Sequence, residues 1–157
     1  MVEFGTPKQK LKMLFDTGSA VIHVISDKCS PGDCPEVMEK FDTRSSSLSH
    51  DWSNRQELNY GQGYVSGSIG SDNICFGGAK CVDSVQLLVG DQGKQLEADA
   101  FSGIVGLAPQ NDPNNRLASF IEQMAPEKGM RPLFSFYLPV ERNGKLMLGG
   151  YDVNKFA

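Results

Sequence analysis

Asp16-Thr17-Gly18-Ser19 is the stretch of this 157-residue chain best equipped for chemistry. It follows the apolar residues Leu11, Met13, Leu14 and Phe15, so a carboxylate stands at the end of a strand, inside a turn of small hydrogen-bonding residues. Backbone N–H groups and the hydroxyls of Thr17 and Ser19 could bond that carboxylate, fixing its plane and favouring its ionised form. Taken alone, the tetrapeptide is also ordinary turn chemistry. A single carboxylate cannot hold a proton as acid and be ionised as base at the same moment. Asp16 is the only Asp followed by Thr-Gly; others read, for example, Asp42-Thr43-Arg44 and Asp83-Ser84-Val85.

The cysteines come in two close pairs, Cys29 with Cys34 and Cys75 with Cys81, with no His beside them to suggest zinc. Local pairing closes each loop at the lowest entropy cost and is favoured over the crossed connectivities; free buried thiols are the alternative for Cys75 and Cys81. Bridges would imply an oxidising compartment. The start, Met1-Val2-Glu3-Phe4-Gly5-Thr6-Pro7-Lys8, lacks the basic and apolar regions of a secretory signal, so the chain reads as a segment of something longer. No cofactor and no metal site is implied.

The elements that must position these groups are mainly strands. From Lys8 to Asp16 alternation puts Lys10 and Lys12 on one face and Leu11, Met13 and Phe15 on the other. A second strand is expected at Ala20 to Ile25, then surface loops with short strands from Ser26 to Asn54. Glu57 to Tyr60 and Tyr64 to Ile69 flank Gly61-Gln62-Gly63, a hairpin whose glycines permit positive φ at the tip. Ile74 to Phe76, Val82 to Val89 and Ile104 to Ala108 read as further strands. Leu117, Phe120, Ile121 and Met124 have helical spacing, with Asn114 or Asn115 as N-cap and Pro126 and Gly129 beyond the end. Asn143-Gly144 marks a hairpin between Leu133 to Val140 and Lys145 to Leu148.

Composition fits one mainly β globular domain, with 39% hydrophobic and 22% charged residues. Fifteen Lys and Arg against 19 Asp and Glu give a net charge of −4, and without a dense basic patch neither nucleic acid nor an anionic membrane surface is a fitting partner. No apolar run approaches the roughly 20 residues of a membrane-spanning helix.

In order along the chain, Phe4-Gly5-Thr6-Pro7, Phe15-Asp16-Thr17-Gly18-Ser19, Asn59-Tyr60-Gly61-Gln62-Gly63, Phe101-Ser102-Gly103-Ile104-Val105-Gly106-Leu107-Ala108 and Leu146-Met147-Leu148-Gly149-Gly150-Tyr151-Asp152 stand in register with one known pattern. Over nearly its whole length the sequence resembles the N-terminal lobe of the pepsin-like aspartic proteases, peptidase family A1. The resemblance implies one lobe of the bilobal acid-protease fold, a closed or partly closed β barrel with one or two short helices, over residues 1–157. It implies an aspartic endopeptidase in which Asp16 is one half of a proton-sharing dyad, supported by Thr17, Gly18 and Ser19. Tyr60, Gly61 and Gln62 would form the flap over a peptide or protein substrate, and Leu14, Phe101 and Ile104 an apolar subsite. Cys29-Ser30-Pro31-Gly32-Asp33-Cys34 has the spacing of the family's small disulfide loop. A secretory, extracellular or acidic lysosome- or vacuole-like location follows from the resemblance.

The departures are as informative. The second catalytic Asp and the C-terminal lobe that would supply it in cis are missing, so the chain reads as truncated at both ends and inactive by itself. His23 stands where relatives commonly carry a Trp that bonds the flap tyrosine; it would either substitute, with pH dependence, or be structural. Ser102 and Gln95 replace an Asp and a pocket aromatic, making the subsite more polar. Two other readings remain: a homodimeric protease of retroviral type, with Asp16 from each copy, and a non-catalytic module of the same fold that binds a peptide or protein.

Overall fold

The computed structural model describes residues 1–34, 39–61, 63–77, 80–94 and 101–155. Ten strands and one α-helix run in the order β1 (Val2–Phe4), β2 (Gln9–Leu11), β3 (Met13–Asp16), β4 (Ile22–Ile25), β5 (Ser49–Tyr60), β6 (Gly63–Phe76), β7 (Lys80–Lys94), β8 (Gly103–Gly106), α1 (Phe120–Lys128), β9 (Phe134–Tyr137) and β10 (Lys145–Leu148) among these residues. Eight form one mixed sheet in the order β2-β1-β6-β7-β4-β8-β3, with β5 added on β6. The fold is mainly β, one lobe of the pepsin-like type. The sheet's two end strands, β2 and β3, are separated by Lys12 alone, so the sheet bends round on itself. No ladder joins β2 to β3, and the barrel is therefore partly closed rather than closed.

Alternation along short strands sorts side chains between two apolar clusters. Met13 and Phe15 of β3, Ile22 and Val24 of β4, and Val105 of β8 pack into the larger cluster with Phe4, Phe41 and Phe120. Val21 and Ile25 point the other way, into a smaller cluster with Leu58, Val65 and Leu88. All four residues of β4 are buried because this strand has a core on each side.

The expected single strand from Lys8 to Asp16 is broken at Lys12, where the sheet turns back. Ile74 to Phe76 is the end of the 14-residue β6, and the 12-residue β5 begins at Ser49, inside the stretch expected to be surface loops with short strands. That stretch also sends Phe41 into the core and pairs Ser26 with Phe41. The helix starts later than its spacing suggests: Ser119, not Asn114 or Asn115, is the N-cap, bonded reciprocally with Glu122, and Pro126 lies inside the helix. Gly129 ends it with φ 60°, the left-handed conformation glycine tolerates best. Asn143-Gly144 sits at the end of a longer loop, since Tyr137 pairs directly with Lys145.

Both local disulfides are formed, Cys29–Cys34 and Cys75–Cys81. The second joins facing residues of β6 and β7, clipping that hairpin at the end away from Tyr60.

Candidate active site

The site grows from the same alternation. With Met13 and Phe15 committed to the core, Leu14 and Asp16 face the opposite side of β3, where Leu14 is 40% exposed and Asp16 half-buried. β3 pairs in parallel with β8, setting Leu14 against Ile104 and Asp16 against Gly106. The turn after Asp16 is held by main chain: Leu107 N–H donates to the Asp16 carbonyl at 2.8 Å, Gly106 N–H to Val21 at 3.0 Å and Ala108 N–H to Ser19 at 2.9 Å. Gly106 is required by close approach, because a Cβ there would lie 2.5 Å from the Val21 nitrogen.

The Gly18 N–H donates to Asp16 Oδ1 at 2.9 Å, the backbone bond expected to fix the carboxylate's plane. The hydroxyls behave otherwise. Ser19 Oγ is buried and makes no hydrogen bond, so it does not bond Asp16 here, and Thr17 is exposed.

Tyr60 ends β5 at the tip of the β5–β6 hairpin and leans back over the sheet. Its hydroxyl lies 2.8 Å from Nδ1 of His23, a bond whose direction follows the imidazole tautomer. His23 shares a face of β4 with Val21 and Ile25, so it is 2% exposed, and burial lowers its pKa to about 4. The Tyr60 phenol is pushed well above its usual value, first by burial and then by the charge of Asp16. That phenol stays protonated at any working pH. Gly61 is exposed with an ordinary φ and open space around it, so it does not serve a left-handed turn. Gln62 and Gln95 lie outside the described residues.

The base of the hairpin is clamped. Arg55 on β5 reaches across β6 to Asp91 on β7 with two bonds of 2.8 and 2.6 Å. Arg116 donates to Asn54 Oδ1 at 2.8 Å, to Gln56 Oε1 at 3.3 Å and to the Arg55 carbonyl.

Of the expected apolar subsite, Leu14 and Ile104 are adjacent through the ladder and Phe101 is half-buried just before β8. Beside Phe101 stands Lys12, its ammonium 5.3 Å from the ring centroid. Sequence reasoning placed Lys12 only on a polar face; its parity with Leu14 and Asp16 was the available signal. The arginine clamp is likewise invisible in sequence, since its members lie 36 to 62 residues apart.

The chain is 33% identical to pepsin-2B of Gadus morhua over 163 residues, covering 100% of this chain and 49% of that protein. It is 30% identical to cathepsin D of Gallus gallus over 163 residues, 99% of this chain and 41% of that protein. It is 31% identical to pregnancy-associated glycoprotein 2 of Sus scrofa over 155 residues, 96% of this chain and 37% of that protein. The chain thus spans less than half the length of these curated relatives. The model of the eukaryotic aspartyl protease family matches residues 1–157, and with Asp-Thr-Gly-Ser at a strand end and a tyrosine at a hairpin tip, the chain belongs to that family.

Proposed function

We propose that these 157 residues are the N-terminal lobe of an aspartic endopeptidase and supply one of the two carboxylates that activate water. The observation that carries this reading is Asp16, half-buried at the end of β3 with its Oδ1 held by the Gly18 N–H. With a second carboxylate beside it, the pair would share a proton: the ionised member takes a proton from water while the other gives one to the peptide carbonyl. That second group would come in cis from a C-terminal lobe; no other Asp-Thr-Gly is present in the chain. Gly18 N–H holds Asp16 from below, and the unpartnered Ser19 hydroxyl is the group that can turn to support it once a substrate or partner carboxylate arrives. Tyr60 closes over an extended peptide and sheds water, while Leu14, Ile104 and Phe101 receive a bulky apolar residue next to the cleaved bond. The two disulfides suit a secretory, extracellular or lysosome- or vacuole-like compartment.

The test is Asp16→Asn in the full-length protein, assayed on an unstructured protein substrate in acid. Loss of activity by ~10²- to 10⁴-fold with unchanged melting is expected. Full activity in the variant would remove Asp16 from the mechanism.

A further inference from the structure

Lys12, Leu14 and Asp16 lie two residues apart along one stretch of chain, Lys12 just before β3 and Leu14 and Asp16 on one face of it, and the structure gives them three different characters. Asp16 is the reacting end, Leu14 is an exposed apolar contact, and Lys12 is a cation seated on the ring of Phe101. The Lys12 carbonyl accepts the Ser102 N–H at 2.7 Å, fixing this residue against the start of β8. Among the described residues no carboxylate pairs with its ammonium, whereas Lys8 and Lys10 both reach Glu3. The cation therefore stands on an aromatic ring beside the apolar contacts, with no countercharge among the described residues.

An extended peptide has the same two-residue repeat as the strand beneath it, about 6.6 Å for each pair of residues. A peptide whose bulky side chain rests on Leu14, Ile104 and Phe101 would bring the side chain two positions farther from the cleaved bond towards Lys12, whose ammonium sits on the Phe101 ring. We propose that Lys12 is a specificity-determining residue that selects substrates with Asp or Glu two positions outward from the bulky apolar residue beside the scissile bond. This rests on the peptidase reading for its orientation, but the selection itself is a property of binding. Phe101 contributes by holding the ammonium in place and by shielding one side of the pair from water.

The test uses the full-length protein and peptides made uncleavable by a reduced amide at the scissile position, identical except for Glu or Gln two positions outward, in both chain directions. At pH 5.5, above the ordinary glutamate value of about 4.3, the Glu peptide is expected to bind ~2- to 5-fold more tightly, the range of a solvent-exposed ion pair. The difference should vanish in Lys12→Gln, persist in Lys12→Arg, and fade near pH 3.5 as the peptide carboxylate takes a proton. Equal binding of the two peptides by the unaltered protein, or a preference that survives Lys12→Gln, would overturn the proposal. Parallel cleavage of the amide-containing peptides separates the two readings: charge-selective binding without cleavage refutes the peptidase and upholds Lys12, and cleavage without selection does the reverse.

Discussion

At the scale of single residues, His23 shows how strand parity becomes electrostatics. Its place between Val21 and Ile25 on β4 faces it into the smaller apolar cluster, where the charged imidazolium loses its hydration. The folded pKa of about 4 lies below the unfolded value of 6.5. Between those two values the unfolded chain binds a proton that the native chain does not, so stability falls as the pH drops through this window and levels off below about 4. The linkage amounts to about 3 kcal/mol. Urea titrations of the purified protein at pH 7, 5.5 and 4.5 should show this loss, and His23→Phe should lack that part of it. An identical pH slope in both proteins would show that His23 is not the group responsible. The bond to Tyr60 follows the same proton: a doubly protonated ring can only donate through Nδ1, which leaves the phenol hydrogen free to point at a substrate. Above about pH 4 the neutral ring allows either direction, so the flap contact changes character near pH 4 rather than near the ordinary imidazole value.

At the scale of elements, the turn carrying Asp16 depends on its neighbour β8. Gly106 touches Val21, Ala20 and Ser19 through backbone atoms that cannot swing aside, at 2.5 to 2.7 Å from a hypothetical Cβ. Gly106→Ala must therefore separate β8 from the turn, at a cost of roughly 1–3 kcal/mol. Because the displaced atoms belong to the Asp16 loop, activity of the full-length protein should fall more than stability suggests. Thermal melting and peptide hydrolysis measured side by side check this, and full activity at a lowered melting temperature would mean that the loop tolerates the shift. None of this contact could be read before the structure, because a glycine's neighbours across a ladder are not encoded in its local pattern. What was legible followed from local chemistry: Asp16-Thr17-Gly18-Ser19 as a turn, the β5–β6 hairpin around Gly61, the local pairing of Cys29 with Cys34 and Cys75 with Cys81. What was not legible depended on long-range packing. Phe41 looked like part of a surface loop until it was seen packed against Phe4 in the core, and the helix began at Ser119 because Glu122 completes a reciprocal cap that outcompetes the upstream asparagines. Ser19 was expected on the carboxylate, and its hydroxyl instead turns into a buried site without a partner.

At the scale of the whole molecule, the described chain is well covered at one end and bare at the other. The β9–β10 hairpin rests Phe134, Phe136, Leu146 and Leu148 on the main core, but it pairs with no other described strand. Two-stranded sheets are marginal alone, and the outer edge of each strand offers unpaired backbone groups to any chain that comes near. Close by in sequence, Leu138 is 75% exposed, Val140 fully so, Tyr151 59% and Val153 62%. Edge strands and apolar side chains together mark a surface suited to burial against more protein. If the remainder of a two-lobed enzyme supplies that cover, the 157-residue chain expressed alone should self-associate at micromolar concentration, whereas the full-length protein should sediment as a monomer. Replacing Val140 and Val153 by Lys should then shift the isolated chain towards monomer without lowering its melting temperature, since neither side chain is packed. A discrete dimer that cleaves peptide, with activity lost on Asp16→Asn, would instead favour a site built from two copies of Asp16. Sedimentation velocity with a parallel peptidase assay distinguishes these outcomes, and a stable inactive monomer of the isolated chain would show that the exposed end needs no cover.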